Sequence, residues 1–188
     1  MNLLIEQLRD DHKHLVRILY HLEKEVKAIS GLLKTDIPSI ETVLDILDYI
    51  QVYPEIWHHP TEDVIFEILL QKEIPEAQLL ADAMEEHGVL EMLTENLHQH
   101  LNMAVAGSDF SPARFIKSTN DYINRQLRHM EFEQKHLFTL AEQYLQAEDW
   151  DAIKERLKDQ QHLLDEPRLQ EYSSFHNSIA NSCAVTAH

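Results

Sequence analysis

The apolar residues of this chain follow a helical period almost from one end to the other, and this pattern constrains the fold most. Apolar side chains recur at intervals of three and four in four long segments, and the first of these seams contains Ile5, Leu8, Leu15, Leu19, Leu22 and Val26. Only 3 glycines occur among 188 residues, which leaves few positions for the tight turns of a β-rich fold. The pattern therefore predicts an all-α protein.

Short breaks divide the pattern into four helices. They lie at residues 30–38, 72–75 and 106–112, and Ser111 before Pro112 is the expected N-cap of the fourth helix. Four helices of about 25 to 35 residues joined by short loops predict an antiparallel up-down-up-down four-helix bundle. We assign residues 1–147 to this bundle and residues 148–188 to a C-terminal extension with a short helix and a polar tail.

The composition excludes several classes of partner. The chain has 16 Lys and Arg against 33 Asp and Glu, for a formal net charge of −17, so we expect no surface for nucleic acid or for an anionic membrane. No apolar run approaches the roughly 18 residues of a membrane-spanning helix. The N-terminus lacks the basic start of a signal peptide, and the single Cys183 can form no internal disulfide. These features favour a cytoplasmic protein.

Histidine and glutamate interrupt each apolar seam. Four of the 13 histidines occupy core-facing positions, and two glutamates each follow one of them by four residues. The six residues are His12 on the first helix, His58 and Glu62 on the second, His87 on the third, and His129 and Glu133 on the fourth. Polar groups buried in a core need partners, so these positions require a common explanation.

All four histidines lie at one height in the predicted bundle. His12 stands 18 residues before Ser30 and His58 stands 20 residues after Pro38. The same comparison across the other two loops agrees to within about two residues, roughly 3 Å along a helix. Four imidazoles and two carboxylates in one buried layer predict a dinuclear metal site, because two buried carboxylates without cations would be very unfavourable.

The donor types narrow the choice of metal and its chemistry. Mixed imidazole and carboxylate ligation suits iron, and manganese and zinc are alternatives. Two six-coordinate ions offer about twelve ligand positions. Four imidazoles, two bridging carboxylates and an oxo or hydroxo bridge leave roughly two positions for water, dioxygen or another small ligand. The ligand count therefore predicts a reactive centre.

The sequence resembles the hemerythrin family, in its bacterial hemerythrin-like (HHE cation-binding) branch. The matching stretches are residues 8–15, 58–66, 85–90 and 129–138, in the order His, His-x-x-x-Glu, His, His-x-x-x-Glu. The resemblance implies a non-haem di-iron centre bound by the six residues above, with Glu62 and Glu133 as bridges. It also implies that the protein binds or reacts with dioxygen, nitric oxide or peroxide, in oxygen transport, sensing, stress protection or iron–sulfur repair.

One position departs from the oxygen carriers of that family. Their third helix supplies two histidines one turn apart, whereas Glu91 stands four residues after His87. Glu91 is therefore either a seventh metal ligand or no ligand, and both alternatives favour redox or peroxide chemistry over transport. His59 follows His58 but lies about 100° further around an α-helix, so we expect it beside the site or on the surface.

Two other functions fit parts of the pattern. Glu-x-x-His pairs are typical of ferritin- or rubrerythrin-like carboxylate bundles that oxidise iron, and here they join Glu55 to His58, Glu95 to His98, and Glu133 to His136. That interpretation leaves His12 and His87 without a role. The other alternative is a metal-free helical interaction module that docks through the tail after Pro167.

Overall fold

The computed structural model describes residues 2–29, 40–107 and 110–161, and every regular element within those ranges is helical. The α-helices are α1 (Leu3–Ile29), α2 (Ile40–Tyr53), α3 (His59–Leu70), α4 (Ala77–Val105), α5 (Pro112–Phe132), α6 (Phe138–Tyr144) and α7 (Ala147–Gln161). This confirms the all-α prediction. The whole predicted first break and the polar tail, with Pro167 and Cys183, lie outside the described residues.

Local chemistry explains where the helices on either side of the last loop begin and end. The Ser111 side chain accepts a hydrogen bond from the Arg114 backbone N–H at 3.4 Å, and Pro112 occupies the first turn of α5. Ser111 is therefore the N-cap of α5, as the sequence predicts. Gly107 follows α4 with a φ of 70°, a left-handed conformation that glycine adopts without steric cost.

Two π-helical turns, π1 (Pro54–His58) and π2 (Glu133–Leu137), connect α2 to α3 and α5 to α6 without a break. In π1 the His59 N–H donates to the Pro54 carbonyl, and in π2 the Phe138 N–H donates to the Glu133 carbonyl. Each turn is closed by an i→i+5 hydrogen bond and so holds more residues than an α-helical turn. Each proline lacks the N–H of an α-helical hydrogen bond and so favours a kink or a bend. In the structure π1 begins at Pro54, and Pro60 lies in the first turn of α3.

The helices pack into a bundle around two separate apolar clusters. Helix α1 packs against α2 and α5, and α4 packs against the same two helices, so four long helical segments close a ring. One cluster joins the C-terminal part of α1 to α2, α4 and α5, and the other joins the N-terminal part of α1 to α3, α4, α6 and α7. Six of the seven predicted metal-site residues, all but Glu91, lie in the layer between these clusters. None of the helices in the described ranges is long and apolar enough to cross a membrane.

Candidate metal centre

The six core-facing residues singled out by the seams are all buried in the layer between the two clusters. Their exposed fractions are 1% for His12, 1% for His58, 0% for Glu62, 5% for His87, 6% for His129 and 0% for Glu133. Each belongs to a helix whose apolar residues continue on both sides of the layer, so the polar side chains are carried into the core by the same amphipathic face.

The Glu62 carboxylate contacts histidines from three helical segments of the layer. Its Oε1 atom lies 3.4 Å from His12 Nε2 and 3.3 Å from His58 Nε2. Its Oε2 atom lies 3.6 Å from His87 Nε2. The carboxylate therefore has the position of a bridge between two groups of imidazoles.

Glu133 has the complementary arrangement on the opposite helix. Its Oε2 atom lies 3.4 Å from His12 Nε2, and its Oε1 atom lies 3.2 Å from both His87 Nε2 and His129 Nε2. Glu133 opens π2, so the departure from α-helical geometry occurs at a residue of the site itself. Single π-helical turns within α-helices are frequent at functional sites.

The side chains form two groups that could each hold a metal ion, and they share Glu62. In one group the ligand atoms of His12, His58 and Glu62 lie within 4.8 Å of one another, and in the other those of His59, Glu62, His87 and His129 do. We call His12 and His58 the two-histidine half, and His59, His87 and His129 the three-histidine half. Two such groups joined by a carboxylate have the arrangement of a dinuclear centre.

His59 is a member of the site that the sequence interpretation missed. Its residue is 5% exposed, and its ring stacks on that of His87 with 4.3 Å between centroids. Because π1 ends at His58 and holds more residues per turn, successive side chains there are rotated about the helix axis by less than in an α-helix. His58 and His59 can then both face the core, toward different halves. The available signal was Pro54, which cannot donate an α-helical hydrogen bond.

Glu91 lies outside both groups, although the sequence made it a candidate ligand. Glu91 is exposed, and its negative charge acts on the carboxyl group of Glu55. Burial, together with the charges of Glu91 and Glu95, raises the pKa of Glu55 to about 8. The group that contains His87 and His129 has His59 as its third histidine and does not include Glu91.

The Glu-x-x-His pairs of the ferritin-like alternative do not converge on this layer. His98 contacts Asp48 at 2.6 Å and is hydrogen-bonded to Asn102, and His136 is exposed with its ring tilted beside that of Phe132. The histidines that this alternative leaves without a role, His12 and His87, lie among the centre's buried side chains instead.

Many buried polar atoms of the layer have no hydrogen-bond partner. Buried nitrogen and oxygen atoms are normally paired, so each exception needs an explanation such as a bound ion. The unpartnered atoms are His12 Nδ1 and Nε2, His58 Nε2, His59 Nε2, Glu62 Oε1 and Oε2, His129 Nε2 and Glu133 Oε2. Imidazole nitrogens and carboxylate oxygens are metal-binding atoms, so the residues present fit a pair of metal ions.

Carboxylates outside the layer orient two of the histidines. The Nδ1 atom of His58 lies 3.3 Å from Asp11 Oδ2, and Tyr53 donates to Asp11 Oδ1 at 3.0 Å. The Nδ1 atom of His87 lies 2.8 Å from Asp63 Oδ1. A carboxylate accepts a hydrogen bond from Nδ1–H and so leaves the Nε2 lone pair directed into the layer, as in metal-bound histidines generally.

The electrostatics of the layer favour cations. Burial opposes ionisation of Glu133, but His129, His12 and His87 outweigh it and hold the pKa of Glu133 well below its ordinary value. Burial likewise opposes charge on His58, yet Glu62 and Asp11 raise the pKa of His58 to about 10. The carboxylates thus stay ionised and attract positive charge, which protons or metal ions can supply.

One family matches the chain over most of its length. A family model described as the hemerythrin HHE cation binding domain matches residues 3–141. The match spans the whole polar layer and both π-helical turns. No curated protein and no solved structure gives a significant match.

Proposed function

Because the chain belongs to the hemerythrin HHE cation-binding family, we propose that it is a non-haem di-iron protein that binds or reacts with dioxygen, nitric oxide or peroxide. The observation that carries the proposal is the set of unpartnered buried donors, arranged as two groups around one shared carboxylate. Sensing, stress protection and iron–sulfur repair are the roles that we propose for this chemistry.

Each half would hold one ion. His12 and His58 would bind the first, and His59, His87 and His129 would bind the second, with Glu62 and Glu133 between them. Mixed nitrogen and oxygen donors suit iron, with manganese and zinc as alternatives. Bound iron would supply a Lewis-acidic, redox-active centre.

The protein's own groups leave room for a small ligand. Five imidazoles and two carboxylates fill most, but not all, of the roughly twelve positions around two six-coordinate ions. In this proposal His59 is the third imidazole of the three-histidine half. The presence of Glu91 in place of a histidine is then no argument against reversible oxygen binding. We therefore retain dioxygen binding beside the reactions of nitric oxide and peroxide.

We assign the centre to an up-down-up-down bundle at residues 1–147, and residues 148–188 to an extension whose helix α7 packs on α3 through the buried Ile153 and Leu157. A cytoplasmic location and the absence of nucleic-acid or membrane partners are supported by the net charge of −17 and the single cysteine.

Metal content per chain tests the proposal directly. Protein expressed with iron supplied should contain two irons per chain by elemental analysis. The matched control is His98→Ala, which removes a histidine paired with Asp48 outside the layer and should keep both irons. A folded wild-type protein with almost no metal would contradict the proposal, and it would favour the metal-free interaction module instead.

A further inference from the structure

Four histidines place Nε2 beside Glu62 or Glu133, and two of these, His12 and His129, lack an outer carboxylate at Nδ1 from the described residues. Nδ1 of His12 is fully buried, whereas His129 borders a surface cavity. His58 and His87 each have a carboxylate at Nδ1, at 3.3 Å and 2.8 Å. Nδ1 of His129 has no hydrogen-bond partner among the residues that the structure describes, while its Nε2 is fully buried beside Glu133. A metal-bound histidine normally donates its other N–H to an acceptor, so this donor lacks its counterpart.

A cavity of about 360 Å³ lies against the His129 ring, between α4 and α5. Its wall includes Glu86 and Asp82 from α4 and Arg125 and Arg128 from α5. A water molecule occupies roughly 30 Å³ in the liquid, so the cavity can hold a molecule of several heavy atoms beside His129.

The carboxylates of this wall are already engaged. Arg125 donates to Glu86 through Nε at 2.5 Å and Nη2 at 2.8 Å, which neutralises that carboxylate. Asp82 Oδ1 accepts from Gln78 at 2.7 Å. Arg125 therefore neutralises the charge of Glu86, whereas Asp82 keeps its charge because the Gln78 amide is neutral.

Arg128 is the uncommitted cation of the cavity. Its Nε donates to the Asn124 carbonyl at 3.2 Å, and its two terminal nitrogens have no partner within the described ranges. A guanidinium presents its donors in a plane that matches an oxyanion. Arg128 and His129 thus line one cavity, and each carries nitrogen atoms without a hydrogen-bond partner in the described part of the chain.

We propose that this cavity binds a small oxyanion, of the phosphate or carboxylate type, that accepts hydrogen bonds from Arg128 and from Nδ1 of His129. The anion would serve His129 as Asp11 serves His58 and Asp63 serves His87. The second part of this inference rests on the proposed function: an anion that orients His129 strengthens metal binding by the three-histidine half, and by linkage the metal strengthens anion binding equally.

Calorimetric titration of the metal-free protein tests the anion site without any metal. Inorganic phosphate and acetate are titrated separately into wild type, Arg128→Gln and Lys117→Gln. Lys117 lies on the same helix but pairs with Asp121 outside the cavity wall. We expect saturable binding of one anion per chain to wild type and Lys117→Gln, and affinity weaker by about tenfold or more in Arg128→Gln, because a charge-assisted hydrogen bond is lost.

The two anions distinguish the ligand class, since tighter binding of phosphate or of acetate identifies the preferred oxyanion. Absence of saturable binding by either anion would overturn the inference, as would equal binding by wild type and Arg128→Gln. Circular dichroism checks that Arg128→Gln is folded, and Arg128→Lys, which retains the charge but not the planar fork, should bind with intermediate affinity.

The coupling to the metal is measured by anaerobic titration with ferrous iron, with and without acetate. Acetate should raise the iron affinity of wild type by about tenfold, the lower end of the effects of such outer partners, and should leave that of Arg128→Gln unchanged. Equal effects in both proteins would contradict the coupling. If no iron binds under any condition, the proposed function fails, while the titrations of metal-free protein still decide whether the anion site exists.

Discussion

The two halves of the centre use the same donor types but differ in their access to solvent. In the two-histidine half both histidines are 1% exposed, the ring of Phe138 stacks on His12, and the outer carboxylate Asp11 is itself held by Tyr53. In the three-histidine half the histidines are 5–6% exposed, the outer carboxylate Asp63 has 33% of its side chain exposed, and a cavity borders the layer. The comparison shows that burial divides one ligand set into an enclosed half and a half near the surface.

The largest expected effect comes from removing the residue that both halves share. Glu62→Ala should reduce the iron content from about two per chain to nearly none, because Glu62 belongs to both ligand groups. Elemental analysis measures the loss. Glu67→Ala is the matched control, since Glu67 lies on the same helix and pairs with Arg156 at the surface. Retention of one full iron in Glu62→Ala would show that one half binds without the shared carboxylate.

The next effect separates the halves from each other. His12→Ala should lose the iron of the two-histidine half, and His59→Ala should lose that of the three-histidine half, so that each variant retains about one iron per chain. Glu91→Ala should keep both, because its side chain lies outside the two groups. The opposite result, two irons in His59→Ala and fewer in Glu91→Ala, would return Glu91 to the ligand set.

A smaller effect is expected from the outer carboxylates. Asp11→Asn and Asp63→Asn should weaken iron binding by about 10- to 100-fold, as outer partners of metal-bound histidines generally do. Asp11→Asn should have the larger effect, because Asp11 is 7% exposed whereas solvent can replace the exposed Asp63 as an acceptor. Competition with a chelator measures both affinities. Equal losses would mean that the difference in burial has no energetic consequence.

The smallest effect concerns stability and its dependence on pH. The pKa of Glu55 rises from an ordinary value of 4.5 to about 8 through burial and the charges of Glu91 and Glu95. The folded state then binds this proton more tightly, so its contribution to stability is complete below pH 4.5 and is lost as the pH rises to about 8. Glu55→Gln should therefore be more stable than wild type above pH 8, by about 1 kcal/mol once solvent screening is included.

Thermal unfolding of the metal-free proteins at pH 5 and pH 9 checks this sign. The difference in Tm between Glu55→Gln and wild type should grow by a few degrees toward high pH. Glu91→Gln should shift Tm in the same direction by less, because it removes only one of the neighbouring charges. A Tm difference that is the same at both pH values would show that Glu55 does not titrate as described.

The helical seams carry most of the information about the fold and the centre. Ile5, Leu8 and Leu15 repeat with the α-helical period, and that period fixes which side chains reach the core and at what height. For this reason the positions of His12 and His87 could be predicted from the sequence, because each lies in an apolar seam of a continuous α-helix. Where the backbone keeps regular α-helical geometry, the spacing of residues alone predicts which side chains face the core.

The positions of His59 and Glu91 could not be obtained in the same way. A π-helical turn arises where packing and a missing donor together favour an i→i+5 bond, and no fixed spacing of residue types specifies it. Pro54 removes one α-helical donor, but it is equally compatible with a kink or a bend. Once π1 is present, His59 turns into the layer, and a wheel drawn with the α-helical angle becomes wrong from that point.

The separation of the core into two apolar clusters has a consequence for how the molecule opens. Each cluster buries its own set of side chains, and the charged layer between them contributes little apolar contact. In the metal-free chain we expect the two ends of the bundle to exchange their amide hydrogens as distinct cooperative units. Metal bound in the layer would join four helices at mid-height, and the two units would then exchange as one.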